Sequence, residues 1–261
     1  MHTEPRSQRI AVTGATGRVG PHLVEILARR GHDVVPIARS KGIDVVTGEG
    51  LDEALVGVET IIDAATGPSP DEEQATAFFT ASARNVQRAG AAAGVERIVV
   101  VSIIGIDKFH GGYNAAKLAH ERTLLDGPLP VRIVRAAQFH EFFGPLLGWT
   151  IQDGVAHVPE MRTQLVAARV VAEALADAAE EPEIQNGRIT EIAGPRPERL
   201  AEVAAMLFAS RGDSVEIRET RGGLLAQPDD PDAVAYADGA ALPNAGATLA
   251  GPSFEEWLKA A

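Results

Sequence analysis

One feature constrains the fold of this chain more than any other: glycines at every third position, placed between a strand and a helix. The β-branched run Ile10-Ala11-Val12-Thr13 leads into Gly14-Ala15-Thr16-Gly17-Arg18-Val19-Gly20. Helical spacing then holds over 22–30 and stops at Gly31. In this setting each glycine has a distinct duty. Gly14 permits a tight turn, Gly17 lets a pyrophosphate approach the backbone, and Gly20 lets the helix pack close to the strand. The helix start, with Thr16, Arg18 and Val19 around it, offers free N–H groups and the positive end of its dipole to phosphate. The alternative is a glycine-rich turn without a ligand, but the strand–turn–helix setting favours the binding loop.

The rest of the first half keeps the same rhythm. A second strand is expected at 33–38, a short third at 43–46, a fourth at 59–64, a fifth at 97–102 and a sixth at 131–135. Helices are expected at about 71–93 and 113–125. The fifth strand, Arg97-Ile98-Val99-Val100-Val101-Ser102, is apolar without alternation, as strands buried on both faces are. Strands alternating with helices through short loops predict an α/β fold, a Rossmann-type doubly wound parallel sheet. Right-handed crossovers then bring every strand C-terminus to one edge, where ligands bind. The last third is less regular. It has expected helices near 166–180, 197–210 and 253–260, strands near 188–193 and 214–219, and a surface loop at 221–232. No Pro/Gly/Ser-rich linker divides the 261 residues. We therefore expect one domain, with a dinucleotide-binding core over about 8–136 and a mixed C-terminal part over about 137–261 that includes a small substrate lobe.

Composition removes several alternatives. There is no cysteine, which excludes disulfides, thiolate nucleophiles and Cys-ligated metal centres. The formal net charge of −12 disfavours nucleic acid as a partner. No stretch reaches 18 apolar residues, so no membrane span is expected, and the N-terminus lacks an apolar signal core. A cytoplasmic protein with a small-molecule substrate is the expectation. It is either a monomer or a homodimer, since the helices near 71–93 and 113–125 suit either state.

Cofactor choice is read at the end of the second strand. A site for plain NAD usually places an acid there for the ribose 2′-hydroxyl. This chain has Arg39-Ser40-Lys41 instead, a set suited to a 2′-phosphate, so NADPH is expected to be preferred over NADH. Arg18 is expected to reinforce that pocket. Asp33 lies at the wrong end of the strand to replace the missing acid, and Asp44 and Val45 are expected to border the adenine. Solvated surface cations are the alternative for all three positive side chains.

Tyr113 and Lys117 stand one helical turn apart at the start of the helix after the fifth strand. Only two tyrosines and four lysines occur in the whole chain. A free phenol, with a pKa near 10, is a poor acid–base group at neutral pH, and an adjacent ammonium would lower that value. Ser102, at the end of the fifth strand, can hydrogen-bond a substrate carbonyl oxygen. Together the three make a device that moves a proton while a nicotinamide moves a hydride. A packed tyrosine and a surface lysine form the alternative.

The glycine loop, the strand ending in Ser102 and the Tyr113–Lys117 pair resemble the short-chain dehydrogenase/reductase superfamily. Ser102-Ile103-Ile104-Gly105 and Arg135-Ala136-Ala137-Gln138-Phe139-His140-Glu141-Phe142 resemble its atypical, NmrA-like branch. The resemblance implies that Gly14, Gly17 and Gly20 cradle the cofactor and that Ala64, Ala65 and Thr66 line it. It also implies that Tyr113 and Lys117 are the catalytic pair, with Lys117 also on the nicotinamide ribose. Asn85 falls where related enzymes carry a helical Asn near the site. Many members have a second serine where this chain has Ile103.

Gln138, Phe139 and His140 follow the sixth strand, with Glu141, Phe142 and Phe143 beside them, and suit a substrate wall. His140 is expected either to assist proton transfer or to sit on a helix surface. His110, with Gly111 and Gly112, suits a mobile lid or a plain surface loop. No second histidine follows His140 at metal-ligand spacing, so no metal is assigned. Three functions fit: an NADP-dependent oxidoreductase acting on a carbonyl or alcohol, a redox-sensing regulator that binds the dinucleotide without turnover, or an extended-type epimerase or dehydratase. Retention of Tyr113 and Lys117 argues against the second, and the roughly 125 residues after the sixth strand are few for the third, which leaves the first as the expectation.

Overall fold

The computed structural model describes residues 7–181, 188–221 and 231–260. The chain runs β1 (Arg9–Thr13), α1 (Gly20–Arg29), β2 (Asp33–Ile37), α2 (Leu51–Ala54), β3 (Thr60–Asp63), α3 (Glu72–Ala93), β4 (Arg97–Ile103), α4 (Gly112–Leu125) and β5 (Val131–Ala136). It continues through α5 (His140–Trp149), β6 (Ile151–Gln152), β7 (Val155–Pro159), β8 (Arg162–Thr163), α6 (Ala168–Glu180), β9 (Arg188–Ala193) and β10 (Glu198–Arg199). The last described elements are α7 (Leu200–Arg211), β11 (Glu216–Thr220), α8 (Ala233–Ala237), β12 (Thr248–Leu249) and α9 (Phe254–Ala260). Most of the expected surface loop at 221–232 lies outside the described residues.

Seven strands form one all-parallel sheet in the order β12-β9-β5-β4-β3-β1-β2. The fold is therefore α/β and Rossmann-like, as the strand–helix rhythm predicts. Pro36 is tolerated in β2 because β2 is an edge strand and pairs only with β1. One apolar layer, including Leu23, Ile26, Ile62, Val99, Val171 and Leu175, packs α1 and α6 against one face of the sheet. A second, including Leu55, Ile61, Val86, Ile98 and Leu124, closes the opposite face beneath α2, α3 and α4. Each fully buried Ile or Leu in these layers contributes about 1.5–3 kcal/mol by leaving water. The helix boundaries follow local chemistry. Asp71 caps α3 by accepting the Gln74 N–H at 3.0 Å, and Gly94 ends it in the left-handed conformation at φ 78°.

The expected third strand at 43–46 does not form. Its backbone groups go to local turns and to side chains instead of a ladder: the Ile43 and Asp44 N–H groups bond the Ala38 and Glu49 carbonyls. The Asp44 carboxylate accepts the N–H groups of Val46 and Thr47 at 2.7 and 3.3 Å, folding the segment into an Asx-type turn. Asn85 Nδ2 donates to the carbonyls of Val45 and Val46 at 3.1 and 2.7 Å. Asn85 therefore pins the loop expected at the adenine, a role different from that of a helical Asn beside the catalytic pair.

The C-terminal third divides between sheet and lobe. Helix α6 and strands β9 and β12 return to the central sheet. The lobe holds α5, α7, α8, α9, the β10-β8 pair and the three-stranded sheet β11-β7-β6. Phe143, Leu147, Val158, Leu207, Phe208 and Phe254 form its own core. The strand expected near 214–219 is β11, which pairs with β7 in the lobe and not with the central sheet. Strands β6 and β7 form a local hairpin across Asp153-Gly154, both at positive φ, an Asp-Gly signal that sequence reasoning missed. Strand β8 is two residues long and pairs with β10, more than thirty residues away. Among the described residues, no helix is long and apolar enough to cross a membrane.

Candidate active site at the sheet edge

Two of the three loop glycines are required by the protein itself. Gly14 has φ 65°, and a Cβ there would lie 2.5 Å from the Ala64 carbonyl oxygen. A Cβ on Gly20 would lie 2.2 Å from the Gly14 oxygen, against the strand-to-helix turn. Gly17 differs. It is exposed, its φ is not in the left-handed region, and a Cβ would meet only the Gly14 oxygen at 3.2 Å. Thr16 and Arg18 are exposed beside it, while Val19 and Gly20 are buried. Helix α1 begins with no side-chain cap and no acid in its first turn. Pro21 in the first turn has no N–H, and no side chain caps the donors that remain there, which is the chemistry a pyrophosphate needs. The loop fits a dinucleotide.

At the end of β2, Arg39, Ser40 and Lys41 form one 3-10 turn, and all three are exposed. No acid stands there. Asp33, at the far end of β2, pairs with Arg9 at 3.0 Å. Arg18 has an aromatic neighbour from the C-terminal part of the chain. Its guanidinium lies 5.4 Å from the centre of the Phe142 ring on α5, and its charge also reaches Tyr113.

At the other end of the edge, Tyr113 Oη and Thr66 Oγ1 are 2.9 Å apart, which joins the end of β3 to the start of α4. Ala64 and Ala65 lie between Thr66 and β3, and Ala65 is buried. Phe79 of α3 meets the Tyr113 ring edge-on at 5.6 Å. Burial pushes the Tyr113 phenol above its ordinary value; the Thr66 hydrogen bond and the Arg18 charge oppose this. The sequence-based expectation was the reverse, a phenol lowered by Lys117. The reason is the direction of the lysine. Lys117 is buried, and its Nζ lies 3.0 Å from His120 Nδ1 and 4.5 Å from the centre of the Phe79 ring. Burial draws its pKa down to about 8, opposed by the charges of Asp63 and Glu121.

His120 and Asp63 are the site residues that sequence reasoning missed. His120 Nε2 lies 3.0 Å from Asp63 Oδ2, and both side chains are fully buried. The approach is too far off the in-line direction to make a hydrogen bond, so the two meet as a close buried contact, and neither atom has a hydrogen-bond partner among the described residues. Asp63 Oδ1 accepts the Thr13 hydroxyl at 2.5 Å and the Ala65 N–H at 3.1 Å. Burial alone would raise the Asp63 pKa, but His120, Lys117 and Thr13 together hold it well below the usual carboxylate range. Burial first, then the Lys117 charge, lowers the His120 pKa, and Asp63 opposes both. A signal existed for both residues. Asp63 is the one acid in the apolar run 60–65, and His120 falls three residues after Lys117 on the same helical face.

Ser102, at the end of β4, is enclosed, and its hydroxyl has no partner among the described residues. The substrate wall expected after β5 is only partly there. Gln138 Oε1 accepts the Thr163 hydroxyl at 2.5 Å, and Phe139 bridges to Val166. His140 is corrected to a packing role. It is 1% exposed, its Nε2 is 3.1 Å from the Pro252 oxygen, and its ring rests against Phe254 and Trp257 of α9. Glu141 caps α6 through the Ala168 N–H, and Phe143 is in the lobe core. The loop at 110–112 is tied, not loose. Asp232 accepts the N–H groups of His110 and Gly111 at 2.7 and 3.1 Å, and Glu72 accepts that of Gly112 at 2.7 Å. Among the described residues, no group of three or more His, Asp or Glu side chains is placed to hold a metal.

Comparison with known proteins agrees with this geometry. A family model described as NAD(P)H-binding matches residues 14–182. L-arabinose 1-dehydrogenase (NAD(P)(+)) of Haloferax volcanii is 34% identical over 125 residues, 44% of this chain. That match spans 48% of the dehydrogenase, about half its length. Quinone oxidoreductase 2 of Escherichia coli is 26% identical over 232 residues, covering 79% of this chain and 76% of that protein. The crystal structure of an NADPH-dependent quinone oxidoreductase of Escherichia coli, complexed with NADPH, superposes with a TM-score of 0.72 at 20% identity. It covers 96% of this chain and 99% of that one.

Proposed function

Because this chain belongs to the NAD(P)H-binding family, we propose that it is an NADP-dependent oxidoreductase acting on a small carbonyl or alcohol, with Tyr113 as the proton donor. One observation supports the reading: the exposed Gly17 turn and the Tyr113 hydroxyl stand on the same edge of the sheet, where one extended dinucleotide would reach both. When bound, the dinucleotide supplies or accepts the hydride. Everything else falls to the chain. The α1 N-terminus and the Gly17 backbone hold the pyrophosphate, and Arg39, Ser40 and Lys41 hold the 2′-phosphate. A phenol kept neutral by burial suits the reductive direction, in which Tyr113 gives its proton to the substrate oxygen. Ser102 is the second donor assigned to that oxygen, and Lys117 holds the ribose.

Relatives named as a dehydrogenase and a quinone oxidoreductase support turnover over a purely sensing role. The test is a screen of aldehydes, ketones and quinones with NADPH, repeated with Tyr113→Phe. Loss of the hydroxyl is expected to lower turnover by about 10²–10⁴, with little change in NADPH affinity. Tight NADPH binding with no turnover on any substrate would instead favour the regulator. Undiminished turnover in Tyr113→Phe would remove this residue from the chemistry.

A further inference from the structure

We propose that Asp63 and His120 form a positioning relay that fixes the place and the charge of Lys117 from inside the protein. This gives the lysine of the proposed site a second, protein-borne partner; its catalytic meaning rests on the reading above, its geometry does not. The direction of every proton in the chain follows from the donors present. Asp63 Oδ1 is already engaged by Thr13 and by the Ala65 N–H, so Oδ2 is the oxygen left for His120. The Lys117 ammonium only donates, so a neutral His120 carries its proton on Nε2, the nitrogen that lies against Asp63 Oδ2. Nδ1 is then a lone pair 3.0 Å from an ammonium that only donates. Lys117 gives one N–H to His120 and keeps two for other partners. The Phe79 ring covers both groups, stacked on the imidazole at 4.8 Å and beneath Nζ at 4.5 Å, which keeps water from replacing either contact.

The surrounding charges agree with this arrangement. On its own helix Lys117 is near Glu121, which is forked by Arg135 of β5 at 2.9 and 3.1 Å, with Asp107 beyond it at 3.1 Å. From β3 it faces Asp63, and from α3 only the Phe79 ring. Tyr113, one turn earlier, spends its hydroxyl on Thr66. Asp63 is thus the carboxylate whose charge reaches the ammonium through a neutral imidazole.

Asp63→Asn tests the direction of the relay. Thr13 and the Ala65 N–H would hold the amide oxygen at the Oδ1 position, placing NH₂ against His120 Nε2. The imidazole proton would have to move to Nδ1, where it opposes the ammonium. The experiment uses the whole protein at natural length with ¹⁵N-labelled histidine and lysine. Ring nitrogen shifts give the His120 tautomer, and the Nζ titration of Lys117 is followed among only four lysines. The expected wild-type result is an Nε2–H imidazole at pH 7 and a Lys117 midpoint below those of the other three. Asp63→Asn is expected to flip the tautomer and lower the midpoint by about one unit or more. His120→Gln, which keeps an acceptor and a donor, is expected to hold the midpoint, and His120→Leu to lower it. An Nδ1–H imidazole in the wild type overturns the proposal, as does an unmoved midpoint in folded Asp63→Asn or equal shifts in Gln and Leu. Should Asp63→Asn fail to fold, the wild-type tautomer and the two His120 variants still decide. None of these readings depends on turnover, so an absence of hydride transfer would leave the relay standing.

Discussion

The two ends of the proposed dinucleotide cleft handle charge in opposite ways. At the adenine end, Arg39 and Lys41 are exposed on a short turn and have no ion-pair partner among the described residues. At the nicotinamide end, Lys117 is sealed beneath Phe79 and reaches a carboxylate only through an imidazole. An exposed cation costs the fold nothing and is available to whatever binds. A buried one must be matched within the fold, because the desolvation cost of a bare charge is several kcal/mol. The first end is therefore expected to affect affinity alone. The second couples chemistry to stability.

The largest effect expected is at the buried end. Asp63→Ala leaves His120 and Lys117 without their carboxylate, and breaking a buried pair in this way costs about 3–5 kcal/mol. Thermal unfolding should show a fall of roughly ten degrees, at about 2–4 °C per kcal/mol for a chain of this size. A melt unchanged by the substitution would break the contrast between the ends. The glycine loop sharpens it from the middle. Gly17→Val is expected to fold and to lose dinucleotide binding, whereas Gly20→Val drives a Cβ into the Gly14 oxygen and should not give a stable fold. Circular dichroism and NADPH titration of the two separate ligand space from packing space.

Next in size is Arg39→Asp. Loss of a charge-assisted contact to the 2′-phosphate is about 1.5–3 kcal/mol, roughly ten- to hundred-fold in NADPH affinity. The unfolding temperature without ligand should not change, and NADH binding should change little. Equal or tighter NADH binding by the wild type would remove the phosphate assignment. The smallest effect is one of pH. His120 in the folded state binds its proton less readily than in the unfolded chain, where its pKa is near 6.5. Below that value the unfolded state takes up the extra proton, so stability falls as pH drops. Relative to His120→Gln, the wild type should lose stability between pH 7 and pH 5. Parallel pH profiles for the two proteins would mean that His120 titrates normally.

The parts of this protein that the sequence determined by itself are those set by local chemistry. The parallel α/β order follows from apolar runs alternating with helical spacing. The loop at 14–20 and the cations at 39–41 are contiguous, so the chemistry they offer is readable in a line of text. The Tyr113–Lys117 spacing places both on one helical face without knowledge of anything else. Tertiary structure decided what depends on residues far apart in the chain. Strand 43–46 was lost because Asn85, about forty residues later, takes its carbonyls. His140 was drawn into the lobe by Trp257 and Phe254. Arg18 turned to Phe142. The direction of the Lys117 ammonium was fixed by Asp63 and Phe79, which come from two other elements. Propensity and spacing act over a few residues, whereas burial and the pairing of buried charge depend on which elements the sheet brings together.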